Sequence, residues 1–105
     1  MKTPVLCAVT AALAIGMTSA QAGDASAGET LYAEACAQCH GPKARGMASF
    51  PSLAGNDEEF IVSRLEQYRA GEKVGPNSGL MIPNAADLSD ADIANLATYI
   101  STRFQ

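Results

Sequence analysis

One five-residue run, Cys36-Ala37-Gln38-Cys39-His40, constrains what this chain can become more than any other feature. It holds the only histidine and two of the three cysteines, so nothing downstream carries a thiol or an imidazole. A helical pattern leads into it. Gly28, Leu31, Tyr32 and Ala35 fall three, four and seven positions apart, on one face of a helix expected from about Asp24 to Gln38.

Four chemistries use thiols and imidazole at this spacing. A redox dithiol of the thioredoxin kind would open a helix inside a βαβ pattern, and no stretch here alternates with the period of a strand. A zinc site would need a fourth ligand, and no further cysteine or histidine completes a tetrahedral set. A structural disulfide would leave His40 without a role. Covalent attachment of one haem c uses all three groups: Cys36 and Cys39 form thioethers to the vinyl groups, and His40 binds the iron. The mostly apolar disc would also supply a core that a small domain otherwise lacks.

Size matters because residues 1–22 read as an export signal. Lys2 gives the positive start, Val5 to Gly16 is an apolar run broken only by Thr10, and Ala20-Gln21-Ala22 is a small-residue cleavage site. The run is shorter than the about 20 residues that a membrane span requires. Cys7 follows Leu6 inside the run and not a small residue at its end, so it reads as signal filler. Cleavage after Ala22 predicts a periplasmic protein and a single domain over 23–105. Such a short chain buries only about 60% of its unfolded surface. Without Lys2 it keeps six basic and eleven acidic residues, a formal charge of −5, which argues against nucleic acid as a partner. No later segment is apolar enough to span a membrane.

Beyond the first helix, the Gly/Pro-rich stretch 41–55 is expected to be a loop. Asn56 and Glu59 then form a capping pair for a second helix, with Ile61, Leu65 and Tyr68 as its apolar stripe and Gly71 as its stop. A second loop, about 71–87, precedes the clearest helix start. Ser89 is its N-cap and Asp92 its N3 residue, Leu88 and Ile93 form a hydrophobic staple, and Ile93, Leu96, Ala97, Ile100 and Phe104 share one face. Acidic residues at 57–59, 90 and 92 suit the positive ends of these helices. The fold expected is all-α.

These segments resemble a class I cytochrome c, similar to a small bacterial cytochrome c553 or to one domain of a cytochrome c4. Gly28 and Tyr32 precede the haem motif as the family's glycine and aromatic do, "PSLAG" (51–55) matches its Pro-x-Leu-x-Gly segment, and "LSDADIANLATYI" (88–100) matches its last helix. The resemblance implies three main helices with long loops wrapped around one covalent haem, and a crossing of Gly28 and Tyr32 with Leu96, Tyr99 and Ile100. It also implies that the Pro51 carbonyl accepts the proton of the His40 ring.

For the sixth iron ligand, composition excludes a second histidine and a free thiolate, which leaves Met47 and Met81 once the signal is removed. Seven extended residues reach about 25 Å, so length alone does not exclude Met47. The resemblance implies Met81. It further implies a one-electron carrier that catalyses no bond chemistry and passes electrons between redox proteins; the position of Lys43, Arg45 and Lys73 in the two loops of an otherwise acidic chain makes them candidate charges for transient docking. Two alternatives stay open: a haem subunit held by a larger dehydrogenase or oxidase, and an open-site gas sensor or peroxidase-like protein, which would require Met81 off the iron.

Overall fold

The computed structural model describes residues 23–46 and 50–105; the expected signal segment, with Cys7 and Ala22, and Met47 lie outside them. The described chain is all-α, with five helices and no strand. They are α1 (Ala25–Ala35), α2 (Ala37–His40), α3 (Glu58–Arg69), α4 (Ser78–Ala85) and α5 (Asp90–Arg103).

Asp24 starts α1, its carboxylate accepting from the amides of Ser26 and Ala27 at 2.9 and 3.3 Å. The helix is shorter than its pattern suggested. It breaks at Cys36, and the single turn of α2 follows. Gly28 and Tyr32 are the buried residues of α1, and both face α5. A Cβ at Gly28 would collide with the Asn95 carbonyl oxygen and stand 2.8 Å from the Tyr99 Cβ, so only glycine admits this closeness. Tyr32, Tyr99 and Phe104 then form a three-ring cluster with centroids 5.4 to 5.7 Å apart, in the tilted and edge-on arrangements that aromatic quadrupoles favour.

The second helix starts one residue later than its expected cap. Asp57 accepts from the Phe60 amide at 2.8 Å and is the N-cap, whereas the Asn56 side chain donates backwards to the Leu53 carbonyl. Both residue types cap well, and the backward bond to Leu53 removes Asn56 from the competition. At the other end Gly71 takes φ +83°, with Gly71 N–H donating to the Tyr68 carbonyl and Glu72 N–H to that of Gln67. That pair of bonds is a Schellman stop.

The segment 71–87, expected to be a loop, contains α4. Gly79, Pro83 and Asn84 are poor helix formers, and tertiary contact with α3 overrides them. The buried Ser78 hydroxyl accepts from the amides of Val74 and Gly75, both at 2.9 Å, and so secures the approach to the helix. Ser89 and Asp92 make the full capping box of α5, with both bonds at 3.0 Å.

The core lies where α1 and α3 meet α5: Ile61 and Leu65 pack with Ile93, Leu96, Ala97 and Ile100, and Leu88 and Met81 border this cluster. Arg69 closes the joint ahead of α5. It donates to the Leu88 carbonyl at 3.1 Å and meets Asp90 at 2.8 Å. Asp90 is 93% exposed, so water screens the ion pair and the bond to Leu88 is the larger contribution.

Candidate functional site

The break at Cys36 shapes the site. The Cys36 amide still donates to the Tyr32 carbonyl at 2.9 Å, and the next turn closes with Cys39 and His40 amides donating to the Cys36 carbonyl. Two thiols and an imidazole, those of Cys36, Cys39 and His40, thereby line one cleft. Burial pushes the Cys36 thiol up to about 11, with the neighbouring Cys39 adding to the effect. A redox-active dithiol needs the opposite, a thiol held low. The two cysteines are not joined in a disulfide.

His40 is buried, and its Nδ1 lies 2.9 Å from the Pro51 carbonyl oxygen. A carbonyl can only accept, so Nδ1 carries the proton and Nε2 keeps its lone pair for a metal. The loop that brings Pro51 back is held by backbone bonds: Gly46 N–H donates to the His40 carbonyl at 2.8 Å, and Leu53 N–H to that of Ala44 at 2.8 Å. Ala44 is wholly buried and adopts a left-handed conformation, φ 54°. Tyr32 adds a further tie through its hydroxyl, which donates to the buried Gly41 carbonyl at 2.6 Å. Burial, then Cys36 and Tyr99, pushes the Tyr32 phenol up to about 12, so it remains a donor.

Counted out to its open mouth, and so including solvent, the space of the cleft is about 640 Å³. Leu65 and Leu96 reach it from α3 and α5, and Leu80, Met81 and Asn84 from α4. All five residues singled out in the sequence, Cys36, Cys39, His40, Pro51 and Met81, line it. Phe50, Leu80 and Asn84 were not foreseen. Leu80 and Asn84 flank Met81 at spacings of one and three, which become informative only once 78–85 is known to be helical.

A haem fits these residues. Two thiols at the cleft wall, an imidazole whose outer nitrogen is already occupied, and a largely apolar space are what a covalently held apolar disc requires. Among the described residues, no group of three or more His, Cys, Asp and Glu is arranged to hold a bare metal ion.

A family profile described as "Cytochrome c" matches residues 25–103. The chain belongs to the cytochrome c family. It is a class I monohaem cytochrome, an electron carrier with one haem c bound covalently through Cys36 and Cys39.

Its relatives agree. Cytochrome c-554(547) of Halothiobacillus neapolitanus is 46% identical over 77% of this chain and 98% of its own. Cytochrome c4 of Azotobacter vinelandii is 36% identical over 90% of this chain but only 49% of its own. A protein of Stutzerimonas stutzeri named "Thiosulfate dehydrogenase electron acceptor" is 40% identical over 86% of this chain and 43% of its own. The cytochrome therefore spans about half the length of the last two and nearly all of the first.

Proposed function

We propose that this cytochrome is exported, loses residues 1–22 by cleavage after Ala22, and carries single electrons with its iron held by His40 and Met81. The observation that carries the ligand assignment is the bond from His40 Nδ1 to the Pro51 carbonyl, in the same cleft that α4 lines with Met81. It leaves Nε2 as the one ring nitrogen able to bind iron, and Met81 contributes a thioether to that space. When bound, the haem supplies a one-electron ferrous–ferric couple, and thioether ligation raises its potential.

The chain's own residues do the rest. Pro51 fixes the imidazole's tautomer and strengthens its donation. Leu65, Leu80, Leu88 and Leu96 give the cleft an apolar wall. Among the described residues, apart from His40 and the two thiols consumed as thioethers, no lining residue is an acid or base that could move a proton to or from a substrate. This favours electron carriage without bond chemistry and disfavours a peroxidase-like role. Among the described residues no helix is long and apolar enough to cross a membrane. The partners are proposed to be redox proteins, in keeping with the relative named as the electron acceptor of a dehydrogenase.

Met81→Ala tests the assignment. The unmodified ferric protein should be low-spin with a sulfur-to-iron charge-transfer band at the red end of its spectrum, and the ferrous protein should bind carbon monoxide poorly. Met81→Ala should abolish the band, admit external ligands and lower the potential, and Met47→Ala should do none of these. The reverse pattern would reassign the ligand to Met47. A high-spin unmodified protein that binds carbon monoxide rapidly would replace the carrier with an open-site protein.

A further inference from the structure

Gly23 occupies a site with more structure than a chain end requires. Its N–H donates to the Thr98 hydroxyl at 3.0 Å across a sequence separation of 75. That hydroxyl in turn donates to Glu58 Oε1 at 3.0 Å. Gly23, Thr98 and Glu58 are each half-buried, so the chain of bonds is partly shielded from water. The next amide, of Asp24, donates to Asn95 Oδ1 at 2.7 Å, so two successive nitrogens are held by α5. The Asp24 carboxylate is itself taken up by the amides of Ser26 and Ala27.

The fit excludes any side chain. A Cβ at Gly23 would collide with the Ala94 carbonyl group and lie 2.6 Å from the Asn95 nitrogen, and both are helix backbone that cannot swing aside. Glycine also follows directly on Ala20-Gln21-Ala22. Cleavage there converts the Gly23 amide into an ammonium group. An amide offers one proton to Thr98; an ammonium offers three and a full charge, one hydroxyl away from a carboxylate.

We propose that the α-ammonium group of Gly23 is a fastening group, which Thr98 and Glu58 bind so that processing itself ties the start of α1 to both α5 and α3. The proposal rests on the cleavage assignment made above, and it adds a binding role for the amine that cleavage creates. Thr98 is the bridge, because it accepts from the first residue and donates to the first residue of α3. The effect is mechanical: α1 ends at Cys36, so fixing its first turn fixes the helix from which the haem cysteines hang.

The test is a double-mutant cycle on haem-loaded protein starting at Gly23, prepared with a free amine or selectively acetylated there, each with Glu58 or Glu58→Gln. Acetylation keeps the N–H that bonds Thr98 and removes the charge. At pH 6.5, below the ordinary α-amine value of about 7.7, the amine is charged. Acetylation should lower the melting temperature by about 2 to 4 °C with Glu58 present and leave it unchanged in Glu58→Gln. Equal losses with and without Glu58, or no loss in either, would overturn the fastening. The intact mass of protein exported by the native host tests the cleavage separately. A chain beginning elsewhere would overturn Gly23 as the native terminus, and the cycle would still report on the site.

Discussion

Gly28→Ala puts the α1–α5 crossing to a quantitative test. The added methyl would collide with the Asn95 carbonyl oxygen and stand 2.8 Å from the Tyr99 Cβ. That second separation is about 0.7 Å short of the roughly 3.5 Å that two carbons prefer. The obstruction is chiefly helix backbone, so the helices must part, and the two bonds that Gly23 and Asp24 make to α5 must stretch with them. Overpacking of this kind costs about 1–3 kcal/mol, and rigid backbone places it near the top of that range. Alanine recovers about 0.5–1 kcal/mol of helix propensity. The net loss should be about 2 kcal/mol, a fall of roughly 10 °C in melting temperature. Gly79→Ala is the matched control. It lies within α4, its Cβ would meet nothing within 4 Å, and propensity alone should stabilise it by about 0.5 kcal/mol or more. Urea unfolding of the oxidised haem protein, followed both by helical circular dichroism and by haem absorption, measures both variants. A Gly28→Ala protein as stable as the parent would refute the close crossing, whatever Gly79→Ala does.

Burial raises the Tyr32 phenol above its ordinary value of 10.0, to about 12 in the free-thiol form; thioether formation removes the smaller Cys36 contribution and leaves burial. The raised value contributes stability that is complete below pH 10 and lost as pH rises towards 12, so the advantage of the parent over Tyr32→Phe should shrink across that window in pH-dependent melts. Below it, Tyr32→Phe should cost about 1 kcal/mol for the lost bond to Gly41. Ser89→Ala removes the acceptor for the Asp92 amide and should cost about 1 kcal/mol in urea unfolding, with an unchanged denaturant slope. Lys43 and Arg45 are exposed in the loop that follows His40, and electron-transfer rates with a purified redox partner should depend on ionic strength and change in Lys43→Glu; rates indifferent to both would remove a basic docking face.

The haem motif was legible because its chemistry is local: one turn of chain carries both thiols and the imidazole. The last helix was legible for the same reason, since Ser89 and Asp92 satisfy each other within four residues. Less could be read where partners are distant. Asn56 and Asp57 are equally good caps in sequence, and the bond from Asn56 back to Leu53 decides between them. Helix α4 was hidden because Gly79 and Pro83 argue against a helix and the opposing contacts come from α3. The left-handed Ala44 carries no sequence signal, since glycine is the usual occupant of such a conformation. In the site, elimination left Met47 and Met81 and the resemblance pointed to Met81, but Leu80 and Asn84 beside it became lining residues only when α4 set their direction.

The crossing of α1 and α5 also imposes an order in time. The aromatic cluster is finished by Phe104, whose carbonyl additionally accepts from Gly55 N–H at 2.8 Å, and Gly23 waits for Thr98. During synthesis from the N-terminus, α1 therefore lacks its main packing partner until α5 has been made. Contacts this far apart in sequence close late and slowly. Until then the segment 36–40 belongs to an open chain, in which both thiols are within reach of the chemistry that attaches the haem.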